Sequence, residues 1–286
     1  MRAALILALL VAGAAHAARP VVLLTDIGMD VDDQWALAHL CASPRFDLRA
    51  VITSHAANLP APAAEFTATA ARAIVRRFAP GRLLPVLAGA SVPLDATGAA
   101  HSRVGADLLR ALARRHGRTD RLAVLVIGPA TDLAQALEDD ASLADRIEVV
   151  AMAFKRTPGD TTSWNVRQDP RAWREVMASR VPLAIGCDAV CVRDLSLTAA
   201  EASARVGATP GGRFLADLLS AHLREQGPRE ARRLSGRPDA WPVWDEVVVA
   251  HLCGFTTTQT LARPLTWITR VDAAALWSDL ARSLAR

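Results

Sequence analysis

A chain of 286 residues that is 51% hydrophobic holds enough apolar material for one large core, and its richness in Leu, Val and Ile excludes a disordered protein. The formal net charge of +4 is spread along the chain, with Arg76-Arg77, Arg114-Arg115 and Arg232-Arg233 falling on expected helix surfaces or loops. No basic stripe interleaved with aromatics is present, so nucleic acid is not an expected partner.

The chain opens with Arg2, an unbroken apolar run from Ala3 to Ala12, and the small-x-small pattern Ala15-His16-Ala17. This reads as a secretion signal over residues 1–17, with a mature domain over 18–286 carrying +3 once Arg2 is removed. The apolar run is too short for a stable bilayer anchor, and no lipidation cysteine follows it. A periplasmic or secreted protein, free of the membrane after cleavage, is the expectation. Export permits disulfides, and Cys187 and Cys191 lie close in sequence, but no second His or Cys pair completes a zinc site. Buried free thiols are expected, with a disulfide left open.

Short apolar runs rich in Val, Ile and Leu follow at Val21-Leu24, Leu48-Thr53, Leu122-Ile127, Ile147-Met152 and Pro182-Gly186, and each suits a strand covered on both faces. Between them the pattern predicts helices over Asp32–Cys41, Pro62–Phe78, Val104–His116, Thr131–Leu137 and Pro170–Ala178. Pro62, Thr131 and Pro170 stand as start signals. The alternation predicts an α/β fold: a single domain with a mainly parallel, doubly wound open sheet flanked by helices. Ligands of such sheets gather beyond the carboxyl ends of the strands.

Beyond the first of these strands lies Thr25-Asp26-Ile27-Gly28-Met29-Asp30-Val31-Asp32-Asp33-Gln34, with four carboxylates in eight residues. One Asp at a strand–helix junction is an ordinary helix cap, and that reading serves Asp30 or one of the adjacent pair. Four exceed what capping needs, and like charges this close repel unless a cation holds them. Oxygen ligands without His or Cys point to Ca²⁺ or Mg²⁺. Gly28 fits a tight turn.

The pattern Asp26-Ile27-Gly28-x-Asp30-x-Asp32-Asp33 resembles the N-terminal signature of the inosine–uridine nucleoside hydrolase family. Four further segments agree with the family in order: Ile52 to Asn58, Pro85 to Ala90 with Pro93-Leu94, Ile127 to Leu133, and Trp164 to Pro170. The resemblance runs from about Val21 to Asp245. It implies a Rossmann-like core and a Ca²⁺ cofactor bound by Asp26, Asp33, the Ile127 carbonyl and Asp245. Asp26 would also be the base that deprotonates the attacking water. Asp32, Asn58 and Asn165 would contact the ribose, and the face of Trp244 would stack on the nucleobase. The implied partner is a nucleoside or other ribose-containing molecule, and the implied assembly a homo-oligomer.

Several positions depart from the family pattern. Leu24 stands where many members carry Asp, Ser163 where the sugar pocket has Glu, and Thr157 where a further Asn is expected. Trp244 occupies the place of the His that protonates the leaving base, and indole has no useful acid function. His55 is a weak substitute for that proton source. Three functions therefore stay open: a nucleoside hydrolase, a catalytically weak or inactive nucleoside- or sugar-binding relative, and a glycosidase for a non-nucleoside sugar.

Overall fold

The computed structural model describes residues 17–97, 101–262 and 264–286, so residues 1–16 of the expected export signal lie outside the described part. The apolar runs form strands and the amphipathic stretches between them form helices. In chain order these are β1 (Arg19–Thr25), α1 (Asp32–Ala42), β2 (Phe46–Thr53), α2 (Ala63–Phe78), β3 (Val86–Ala88), α3 (Val104–Ala113), β4 (Leu122–Val126) and α4 (Thr131–Asp139). Then come β5 (Ile147–Met152), α5 (Trp164–Gln168), α6 (Pro170–Ala178) and β6 (Leu183–Gly186). The structure adds α7 (Asp188–Asp194), β7 (Ser196–Thr198), α8 (Ala199–Val206), α9 (Pro210–Ser235), β8 (Ala240–Pro242), α10 (Glu246–Leu252), β9 (Thr256–Ala262), β10 (Leu265–Val271) and α11 (Ala273–Leu284).

Eight strands make one sheet in the order β3-β2-β1-β4-β5-β6-β10-β9, parallel throughout except for the β10–β9 edge pair. Every residue of β4, and Val21 to Thr25 of β1, is buried, as two-sided coverage by helices requires. β7 and β8 form a separate antiparallel pair. Two start signals work differently from expectation. Pro62 stands one residue before α2, and Thr131 lies inside α4, where its hydroxyl donates to Asp169 instead of capping. Pro170 does open α6, whose first turn is capped by Asp169 through the Ala172 N–H. No helix among the described residues is long and apolar enough to cross a membrane.

A buried ionic knot ties three helices together. His39 on α1 reaches Glu246 on α10 through Nδ1 at 2.9 Å and Asp279 on α11 through Nε2 at 3.4 Å. Burial alone would lower the His39 pKa, but the Glu246 charge and the two carboxylate contacts outweigh it and lift it to about 9. The His39 hydrogen bond, helped by Arg282 and Arg45, holds Asp279 below the ordinary carboxylate range. Because Glu246 is next to Asp245, this knot also fixes the start of α10. Replacing His39 with Leu leaves the buried Glu246 carboxylate without its partner, while Asp279 keeps Arg45 and Arg282, and the change should cost about 3–5 kcal/mol in urea unfolding. His39 binds its proton more tightly folded than at the ordinary 6.5, so its stabilisation is full below 6.5 and is lost as pH rises through about 9. That contribution to the alkaline decline should vanish in H39L.

Candidate metal centre and active-site cavity

β1 and β4 are neighbours in the sheet, but β1 leads outward to β2 and β4 leads the other way to β5. The connections diverge there and leave a crevice beyond the two carboxyl ends. Asp26 follows β1, Ile127 follows β4, Asp32 and Asp33 begin α1, and Asp245 precedes α10. Gly28, at φ 128°, takes a backbone turn that a side chain would strain, and this lets the loop double back. Gly128 matters for a different reason: a Cβ there would lie 2.8 Å from both the Asp26 backbone nitrogen and Oδ1. Only a bare Cα lets the turn after β4 close on Asp26.

All four carboxylates are at most 6% exposed. One oxygen from each of Asp32, Asp33 and Asp245 lies within 4.8 Å of the other two. Thr25 Oγ1 donates to Asp33, and the Trp164 indole N–H donates to Asp26 Oδ2 at 3.2 Å. Burial raises the Asp26 pKa to about 7, against the pull of the Trp164 hydrogen bond. Burial, then repulsion by neighbouring carboxylates, pushes Asp32, Asp33 and Asp245 well above the ordinary carboxylate range. No basic side chain is among the groups that offset these charges. The plain cap reading also fails, since neither α1 nor α10 has a side-chain cap hydrogen bond at its start. Buried, uncompensated oxygen donors fit a hard divalent cation.

The Ile127 backbone completes the picture. Its N–H bonds to the Leu24 carbonyl at 2.9 Å, and its own carbonyl accepts from Asn165 Nδ2 at 3.0 Å, with a second lone pair left over. Asn165 gives its other amide hydrogen to the Met152 carbonyl at 2.9 Å, so only its amide oxygen remains for a ligand. The cavity above these groups has a volume of about 510 Å³. Asp26, Asp30, Asp32, Asp33 and Asp245 line it together with Ser163, Trp164, Asn165, Trp241 and Trp244. Lys155, Arg167 and Asp188 also line it, and α9, which breaks at Gly227-Pro228, contributes His222 and Gln226 before the break and Glu230 and Arg233 after it.

The structure thus gathers Asp26, Asp32, Asp33, Ile127, Asn165, Trp244 and Asp245. It does not bring in Asn58. That residue is exposed at φ 69°, is absent from the cavity wall, and ends a turn tied to α5 by the Ala57 N–H to Gln168 Oε1 hydrogen bond. His55 is excluded as a proton source for the same cavity. Its Nε2 pairs with Thr131 Oγ1 at 3.0 Å in a buried network with Asp169, and burial lowers its pKa to about 4. The four cysteines are free thiols, with Cys191 Sγ against Met152 Sδ at 3.7 Å. Asp30, Trp241 and His222 were missed as site residues. Trp241 and His222 lie in a stretch whose sequence carries no ligand-like spacing, and Asp30 passed for a cap.

Fold and site together define a doubly wound α/β protein with a carboxylate centre at its topological switch point. The sequence pattern of the inosine-uridine preferring nucleoside hydrolase family matches residues 21–275, and the chain belongs to that family. Its members are metal-dependent hydrolases of the nucleoside N-glycosidic bond. Among solved structures, the purine-preferring ribonucleoside hydrolase from Gardnerella vaginalis superposes with a TM-score of 0.75 at 17% identity, over 93% of this chain and 98% of that one. The inosine-uridine preferring nucleoside hydrolase from Bacillus anthracis gives 0.70 at 18% identity, over 93% and 99%. The type III effector XopQ, in complex with adenosine diphosphate ribose, gives 0.69 at 16% identity, over 94% and 95%. At these identities the superpositions speak for the fold. Comparison with curated protein sequences returned no significant match.

The electrostatics predict how the metal-free protein responds to pH. Asp26 holds its proton to about 7 when folded against an ordinary 3.8, so between those values the folded chain binds more protons than the unfolded one. Stability contributed by this centre should be greatest in acid and fall as pH rises through about 7. Urea unfolding in EDTA at a series of pH values measures that fall. Added divalent cation, which binds the ionised form, should reverse it.

Proposed function

We propose that the chain is an exported, calcium-dependent hydrolase that splits the N-glycosidic bond of ribonucleosides into base and ribose. The observation that carries this reading is the convergence of four buried carboxylates and the Ile127 carbonyl on one cavity of nucleoside size. Asp33, Asp245, Asp26 and the Ile127 carbonyl would hold the ion. Calcium accepts six to eight oxygens, so the nearby Asp32 can add to the set or turn to a ribose hydroxyl. Calcium suits this donor set because its geometry is less demanding than that of magnesium, which dehydrates reluctantly.

When bound, the cation orients and acidifies an attacking water. Asp26, its pKa raised by burial, is suited to take that water's proton near neutral pH. As the glycosidic bond lengthens, positive charge grows on the ribose ring, and the carboxylate end of the cavity stabilises it. The Asn165 amide oxygen and Asp32 would fix the sugar hydroxyls and so set C1′ against the water. Trp244 offers the base a ring face.

A second reading, a ribosyl-binding relative with little turnover, is favoured by Trp244 in place of the expected acid. One assay separates the two: base release from inosine, uridine and adenosine, with calcium and with EDTA. We expect calcium-dependent release, with Asp26→Asn and Asp245→Asn each lowering kcat by roughly 10³-fold or more. Binding of these nucleosides without base release would select the binding relative. Failure of calcium to bind in calorimetric titration would remove both. Export has its own check. The N-terminus of protein recovered outside the cytoplasm should be Ala18, and an intact Met1 would contradict a cleaved signal.

A further inference from the structure

The cavity contains an imidazole that the reading above leaves without a task. His222 is 8% exposed, lies on α9 before the Gly227 break, and lines the cavity. Its Nε2 is buried and makes no hydrogen bond of acceptable geometry, although Asp30 Oδ1 is 3.3 Å away. A buried polar nitrogen left short of a partner is uncommon in a native fold and marks a place where something else is meant to bind or react.

The surroundings aim this ring. Asp30 is not the helix cap that the sequence suggested. It accepts from the Trp241 indole N–H at 2.9 Å and 3.1 Å through its two oxygens, and from the Val31 N–H at 2.6 Å. Those bonds leave the carboxylate fixed beside His222. Trp241 also packs edge-to-face on the His222 ring at 4.5 Å between centroids, and on Trp244 at 5.9 Å. The imidazole therefore stands at the end of the aromatic wall that starts at Trp244, the residue next to the carboxylate centre. It is held by a carboxylate and an indole, as a general acid is held by an orienting partner.

We propose that His222 is the catalytic acid that protonates the departing nucleobase, with Asp30 as its positioning residue. This rests on the hydrolase reading. The balance is simple. The C1′–N bond breaks and its electron pair stays with the base, whose ring nitrogen receives a proton from His222. Water supplies oxygen to C1′ and one proton to Asp26, and exchange with solvent returns Asp26 and His222 to their starting states. The role lost at Trp244, in the turn before α10, is supplied from α9. Asp188 is the rival donor, since burial raises its pKa to about 6 and it too lines the cavity. Its near charges are Lys155, Asp160 and Arg167, and none of these partners orients it as Asp30 and Trp241 orient His222.

Leaving-group dependence tests the assignment. Nitrophenolate departs without a proton, whereas hypoxanthine needs one. In the full chain with calcium, His222→Gln should lower kcat/KM for inosine at least roughly 100-fold, and for p-nitrophenyl riboside by less than about fivefold. Asp30→Asn, which preserves side-chain shape, should show the same split at smaller size, and it carries the test should H222Q fail to fold. Equal losses on both substrates would assign His222 a structural or binding role and overturn the proposal. So would a split shown by Asp188→Asn and not by H222Q. Wild-type protein that cleaves only the nitrophenyl riboside would overturn the acid while leaving the hydrolase reading intact. Wild-type protein that cleaves neither would remove both.

Discussion

Four carboxylates buried beyond the ends of two adjacent strands repel one another, and each has also lost its water. Among the described residues no Lys or Arg is one of the groups that offset these charges, so in the metal-free state protons must do so, which is why Asp26, Asp32, Asp33 and Asp245 are all displaced upward. The rest of the structure can be understood as holding that unfavourable arrangement in place. The bare Cα of Gly128 lets β4 approach Asp26, and the His39–Glu246–Asp279 knot anchors the helix that follows Asp245. A protein keeps such a centre where a cation or a developing positive charge will repay it.

The same centre shares its cavity with aromatic groups. The buried carboxylates and Ile127 line the cavity together with Trp241, Trp244 and the His222 imidazole. Asn165 spends both amide hydrogens on backbone carbonyls, which turns its oxygen into the cavity's polar contact. The tryptophans around Trp244 do not make their wall purely apolar, since His222 packs on Trp241 beside Asp30.

Much of this was legible in the sequence, and where it was not the reason is physical. Alternating apolar runs report burial on both faces of a strand, so β1, β2, β4, β5 and β6 could be read with boundaries off by only a few residues, while the three-residue edge strand β3, half-buried throughout, was not. Crowded Asp residues can be read as a metal loop because repulsion has no local remedy. Asn58 misled because its role depends on which way a loop turns, and a left-handed backbone at that residue sends it to solvent. Asp30 misled because a cap and a cross-chain acceptor look identical until Trp241, far along the chain, arrives beside it.

The amino-acid sequence by itself determined the α/β alternation, the acidic loop and the family, because each rests on local periodicity or on a compact run of residues. Only the tertiary structure decided that Asp245 meets Asp32 and Asp33, that Asn165 holds the Ile127 carbonyl, and that His222 faces Asp30. Those contacts join residues separated by tens to hundreds of positions. They exist because the strand order reverses direction between β1 and β4 and because α9 brings His222 to the cavity, and neither event leaves a mark in local sequence.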